Sequence, residues 1–345
     1  MKFFNSFKDS LSIVMIASSL MLSGIPNALA DDSVRINFAG MFAPDHPVTV
    51  AQKNFKKEVE SETDGRVKVR VFPANQLGDY TQVFEELSRG TIDMGLINIP
   101  SQFDTRLEVM YLHYLATNYE EVRKTYSPGS YLYSIMDTLI AEQDIKLLGF
   151  EVDGFGGFGL TKQPENHMHP GKSKKILLRV PPMDIFKVAA EDQGFQTVSV
   201  PFAELYTSLQ TGVADGWSGG SSTLNYLQFR DVIKHFVVSN NFIDAYGWLA
   251  SDKLWAKLST KDQKIVQRVA SKYALKSIDS AQKNDLLHQE KLKEKGINVI
   301  KLSDDELKEW AQQARNVTWP KLRERLTGEL IDGMQNAYQT DLTNQ

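Results

Sequence analysis

A chain of 345 residues with 42% apolar side chains can bury a large core and, at the usual ~100 to 200 residues per domain, fits two domains better than one. Its 39 basic and 43 acidic residues leave a net charge of −4, and no basic stripe with interleaved aromatics occurs, which excludes a nucleic-acid surface. The absence of cysteine excludes a disulfide framework, a thiolate metal site and lipid attachment at an N-terminal cysteine.

The chain opens with Lys2 and Lys8, a short apolar run over 11–24, and Ala28-Leu29-Ala30 ahead of Asp31-Asp32. This is the pattern of a secretory signal peptide (1–30) cleaved after Ala30, and it places the mature protein in the periplasm. The run falls short of the ~20 apolar residues that span a bilayer.

Residues 34–39 alternate as a strand, 48–62 carry Val50, Phe55 and Val59 at helical spacing, and 67–72 alternate again. A helix over 79–90, a strand over 92–97, a helix over 119–143 and a strand over 145–150 follow. The second half repeats the grammar: strand 175–180, helix 184–192, strand 196–200, helix 202–211, then strands 233–239 and 246–250. Strands separated by helices predict a helix-covered parallel sheet in each half. From 260 to 295 nothing interrupts one very long helix, opened by the capping-box spacing Thr260-Lys-Asp-Gln263. Ser303-Asp-Asp-Glu306 opens another helix, which Trp319-Pro320 breaks.

Several motifs compete for a function. Gly154-Phe-Gly-Gly-Phe-Gly159 fits a dinucleotide fingerprint, but the next residues carry no helical period to hold a pyrophosphate, so it reads as a Gly-rich crossover. Gly216-Trp-Ser-Gly-Gly220 fits a nucleophile elbow at Ser218, with Asp231 and then His235 or His288 downstream. Only Val213-Ala214 would serve as its leading strand, and Asp231 with His235 lie one helical turn apart. His167 and His169 lack a third metal ligand nearby, and Asn316-Val-Thr318 carries no weight as a glycosylation site in a bacterial protein. Arg179, on the apolar strand Leu177-Leu-Arg-Val180, is what a receptor for a small acid needs, because a guanidinium grips a carboxylate through two parallel hydrogen bonds.

The ordered set Asp45-His-Pro47, Glu62-Thr-Asp-Gly65, Phe72-Pro-Ala-Asn-Gln-Leu-Gly-Asp79, Gly90-Thr-Ile-Asp-Met-Gly95, Leu178-Arg-Val-Pro181, Val200-Pro-Phe-Ala-Glu-Leu-Tyr206 and 209–216 covers nearly the whole mature chain. It resembles the extracytoplasmic solute-binding subunit of the TRAP transporters, the DctP-like family. The resemblance implies an α/β, two-lobed periplasmic binding protein fold (type II-like), with mixed sheets covered by helices and one long helix spanning both lobes. Lobe I would take 31–156 with about 245–284, and lobe II 157–244 with about 285–345. It further implies a protein that binds a small organic acid, closes on it, delivers it to TRAP permease membrane subunits, uses no cofactor and performs no chemistry; a monomer, or at most a weak dimer, is expected.

In that family the arginine matching Arg179 makes the principal contact to the ligand carboxylate. Gly219 stands where many members carry a second carboxylate ligand, an asparagine, and Gly159 where some acid binders carry a second arginine. One cationic anchor predicts a monocarboxylate, aromatic or apolar in body, or a sulfonate, with Phe202 and Trp217 as aromatic faces in the room left by the missing side chains. Asn98 and Asn241 match polar contacts from each lobe, and Met41 and Phe42 fall in a cleft-facing loop. A receptor that signals to a membrane kinase would read identically, and a serine hydrolase using Ser218 is the other alternative.

Overall fold

The computed structural model describes residues 33–167 and 169–343, so the signal peptide expected over 1–30 lies outside the described residues. Eleven strands are present among them: β1 (Val34–Gly40), β2 (Val67–Phe72), β3 (Met94–Ile97), β4 (Ile145–Phe155), β5 (Phe158–Leu160), β6 (Leu177–Val180), β7 (Gln196–Ser199), β8 (Gly216–Ser218), β9 (His235–Val238), β10 (Ile243–Ser251) and β11 (Asn298–Lys301). They form two mixed sheets, ordered β2-β1-β3-β10-β4 and β11-β9-β5-β8-β6-β7. The helices before β4 are α1 (Pro47–Glu62), α2 (Tyr80–Arg89), α3 (Tyr119–Tyr126) and α4 (Tyr131–Ala141). Those that follow are α5 (Asp184–Asp192), α6 (Leu205–Thr211), α7 (Ser222–Leu224), α8 (Asp252–Lys257), α9 (Thr260–Glu294), α10 (Asp304–Gln313), α11 (Trp319–Leu326) and α12 (Gly328–Thr343).

Local chemistry sets the boundaries of the first sheet. Helix α2 buries Tyr80, Val83, Phe84 and Leu87 on one face. Asp79 caps it in a reciprocal box with Gln82, and Gly90 ends it at φ 69°, where a side chain would be strained. All four residues of β3 are buried: the strand lies between β1 and β10 inside the sheet, and α2 packs against it. The helix expected over 119–143 is two helices. Pro128-Gly129 separates them, with Gly129 at φ 87°, and the Ser130 hydroxyl accepts from Tyr133 N to start α4.

Strands β4 and β10 are longer than their apolar runs predict. They pair antiparallel from Ile145↔Ser251 to Phe155↔Ile243, with bulges at Asp244/Ala245 and Trp248/Leu249. The ribbon continues through Gly156 N donating to Phe242 O (2.8 Å) and then as β5 against β9 in the second sheet. The Gly-rich stretch 154–159 is therefore the crossing itself, and no helix follows it.

Helix α9 runs 35 residues, roughly 50 Å at 1.5 Å per residue, and touches both sheets. Gln267 donates to Leu148 O (3.0 Å), and Ser277 Oγ and an Asp285 oxygen accept from Val152 N (2.8 Å) and Phe155 N (3.0 Å). Further along, Gln289 donates to Ser222 Oγ (3.3 Å). Its N-cap is Ser259, one residue earlier than expected, accepting from Asp262 N at 3.1 Å. The chain does not break at Trp319-Pro320: a π-turn at Ala314–Thr318 leads into α11, with the proline in its first turn. This C-terminal segment is fastened on two sides, by Trp319 Nε1 to His113 O and by Thr318 Oγ1 to Asp192, each at 2.9 Å.

Candidate functional site

The loops that leave the carboxyl ends of β1, β3 and β6 converge with β8 and β10 around a cavity of ≈ 480 Å³, counted to its mouth. Sites in open α/β sheets form at such strand ends. Seven of the residues expected from the sequence line it: Met41 and Phe42 after β1, Asn98 after β3, Arg179 on β6, Phe202 after β7, Trp217 on β8 and Gly219 just beyond.

Arg179 is 2% exposed. Its Nε donates to Val200 O at 2.8 Å, and its Nη2 has no hydrogen-bond partner in the protein. Among the described residues no carboxylate pairs with it, and burial lowers its pKa to about 10, with Tyr80 opposing. The guanidinium therefore stays charged at neutral pH while lacking a counter-charge, a costly arrangement unless an external anion completes it.

Gly159 and Asn241 do not line the cavity. A Cβ on Gly159 would lie 2.5 Å from Trp217 Nε1 and 2.5 Å from Asn225 Oδ1, since the indole donates to Asn225 at 3.1 Å directly over the glycine. A Cβ on Gly220 would meet the same indole at 2.2 Å, and Gly219 and Gly220 sit at φ 127° and 79°. The expectation that missing side chains leave room is corrected at Gly159, where Trp217 fills the space; Gly219, the other such position, lines the cavity, and a Cβ on it would lie 3.1 Å from the same indole. Asn241 is fully buried behind the wall, where its carbonyl accepts from Tyr114 N (2.8 Å) and its Oδ1 from Ser239 Oγ (3.2 Å).

The sequence reading missed Tyr80, Tyr111, Phe186, Asp244 and Tyr246 in the lining. Tyr80 opens α2 beside its cap, a position that only the tertiary fold turns inward. Asp244 had a signal: it is the one charged residue in the otherwise apolar strand β10.

Asp244 belongs to a group of buried acids at the crossing. Its Oδ2 accepts from Ser221 N at 3.1 Å, Asp153 accepts from Ser221 Oγ, and Asp285 accepts from Phe155 N and the Tyr119 hydroxyl. Burial and mutual repulsion push Asp244 and Asp285 up to about 7, and burial pushes Asp153 up to about 6. His46 Nε2 stands 3.9 Å from Asp153, but burial holds its pKa at about 3, so it contributes no positive charge at neutral pH.

Hydrolase geometry is not assembled. Ser218 is buried on β8, while His288 Nδ1 faces Thr223 Oγ1 and Asn284 O, and His235 Nδ1 faces the Asn298 amide. Neither imidazole is hydrogen bonded to Ser218. Among the described residues no three His, Cys, Asp or Glu side chains converge on a metal position, and no helix is long and apolar enough to cross a membrane.

A protein of Haemophilus influenzae is 28% identical to this chain over 84% of it and 86% of the relative. A TRAP periplasmic solute-binding protein from Haemophilus influenzae, solved with bound L-gulonate, superposes with a TM-score of 0.79 at 25% identity, covering 88% of this chain and 99% of that one. The corresponding protein from Desulfovibrio salexigens, solved with orotic acid, superposes with a TM-score of 0.80 at 20% identity, covering 89% and 99%. The family model described as bacterial extracellular solute-binding protein, family 7, matches residues 38–324. With a two-sheet fold, a cavity at the strand ends and no assembled catalytic set, the chain belongs to this DctP family of periplasmic solute-binding proteins, which serve transport and are not enzymes.

Proposed function

We propose that this protein captures a small monocarboxylate in the periplasm, holds its carboxylate on Arg179, and as a monomer delivers it to the membrane subunits of a TRAP-type secondary transporter. The observation that carries the reading is a buried guanidinium in the cavity wall with a free Nη2 and no acid of its own. A carboxylate arriving from solution would accept two parallel hydrogen bonds there, and a sulfonate would satisfy the same group.

Among the described residues Arg179 is the only lysine or arginine lining the cavity, so one anionic group suffices. L-gulonate and orotic acid, bound by the two structural relatives, each carry a single carboxylate. Phe42, Phe202 and Trp217 offer flat apolar faces to the body of the ligand. The lobes we assign, 31–156 with about 245–284 and 157–244 with about 285–345, meet along the β4–β10 ribbon, and closure follows where a ligand favours the closed state.

Thermal-shift screening of the mature chain against mono- and dicarboxylates, sugar acids and sulfonates tests this. A ligand at 100 times its Kd stabilises by about 2.7 kcal/mol, and the largest shift is expected from a monoacid. A dicarboxylate that stabilises best contradicts the single-anchor reading.

A further inference from the structure

We propose that Asp244 and Tyr246 form a second polar pole of this cavity, which takes a hydrogen-bond donor carried by the ligand, a hydroxyl or an ammonium, separate from the carboxylate held at Arg179. This rests on the reading of Arg179 as the carboxylate clamp and specifies what the rest of the ligand must offer.

Both residues line the cavity from β10 in the first sheet, whereas Arg179 lines it from β6 in the second, and no ion pair joins Asp244 to Arg179. Asp244 is 5% exposed, and the hydrogen bond from Ser221 N at 3.1 Å uses only part of its accepting capacity. Tyr246 is 1% exposed, and its hydroxyl lies beside Asp244, the acceptor for its proton, with no other protein group hydrogen bonded to it among the described residues. With the phenol proton directed to Asp244, the phenol oxygen and the rest of the carboxylate keep accepting capacity that a donor entering the cavity can use.

The charge around this pole selects the sign of that group. Asp153 and Asp285 add negative potential at Asp244, and His46, the nearest imidazole to Asp153, is neutral. A second carboxylate would meet repulsion here, whereas O–H or N–H hydrogens meet unspent acceptors. The site thus discriminates by having a cation at one pole and acceptors at the other.

The test uses the mature chain and four six-carbon acids: hexanoate, D-gluconate, 6-aminohexanoate and adipate. By isothermal titration, gluconate or 6-aminohexanoate is expected to bind about tenfold or more tighter than hexanoate and adipate. Which of the two wins separates hydroxyl from ammonium recognition. In Asp244→Asn the ratio of donor-bearing acid to hexanoate is expected to fall toward one, and Tyr246→Phe to lower it in the same direction. The proposal is overturned if hexanoate or adipate binds as tightly as the donor-bearing acids, if the ratio survives in Asp244→Asn, or if none of the four binds. If the ratio collapses in Asp244→Asn while Arg179→Ala keeps full affinity, the clamp reading fails and the second pole stands.

Discussion

Arg179 and Arg325 are both arginines in packed surroundings, and they are built for opposite ends. Arg325, on α11, donates through Nε and Nη2 to Glu108 at 2.8 and 3.0 Å, and its Nη1 lies 2.9 Å from Asp184. Those carboxylates raise its pKa, while burial without a carboxylate lowers that of Arg179 to about 10. The first is a fastener between α11, the 3-10 segment Thr105–Tyr111 and α5. The second carries an unmet electrostatic need, the one the proposed carboxylate would fill.

The largest effect that sharpens this contrast is on the fastener. Arg325→Met leaves Glu108, itself 0% exposed, with only Ser101 as partner, so urea unfolding should report a loss of about 3 to 5 kcal/mol. An unchanged midpoint would break the distinction.

The buried acids extend the comparison to the other sign of charge. Asp285 titrates at about 7 against an ordinary value of 3.8. As pH rises from 4 to 7 the unfolded chain gives up its proton first, so this residue costs the wild type stability across that window. His46 and His113, lowered to about 3 and 4, act in the opposite sense, so the variant must be compared with the wild type at each pH. Asp285→Asn should be more stable than the wild type by about 3 kcal/mol at pH 8, with little difference at pH 4. An equal difference at both values would show that charge is not the cause.

Smaller shifts come from the cavity wall. Arg179→Met removes a buried charge, so without ligand it should keep or gain stability, up to about 2 kcal/mol, the reverse of Arg325→Met. Gly159→Ala pushes a Cβ into Trp217 and Asn225 and should cost about 1 to 2 kcal/mol, with a change in tryptophan fluorescence. A silent Gly159→Ala would mean that the indole is not seated as described.

Much of this fold is legible in the sequence because it is written in long periodic segments. Helix α9 needed no tertiary information beyond its cap, and β1, β2 and α5 follow from alternation or helical spacing. What escaped is short or tertiary. Strands β5 and β8 have three residues each and contain glycine, so their pairing decides them rather than their pattern. The split at Pro128-Gly129 was overlooked because apolar spacing resumes beyond it. At the site, Arg179 stands out by its type and strand. The filling of Gly159 by Trp217 depends on two strands meeting side by side, which no local pattern encodes.

The most direct test is a titration of the best-stabilising acid from the screen into wild type and Arg179→Ala. Loss of the only clamp should weaken binding by about 2 to 5 kcal/mol, thirtyfold or more, with the variant still folded. Affinity retained within about threefold, well under 1 kcal/mol, would contradict the assignment of Arg179 as the carboxylate anchor.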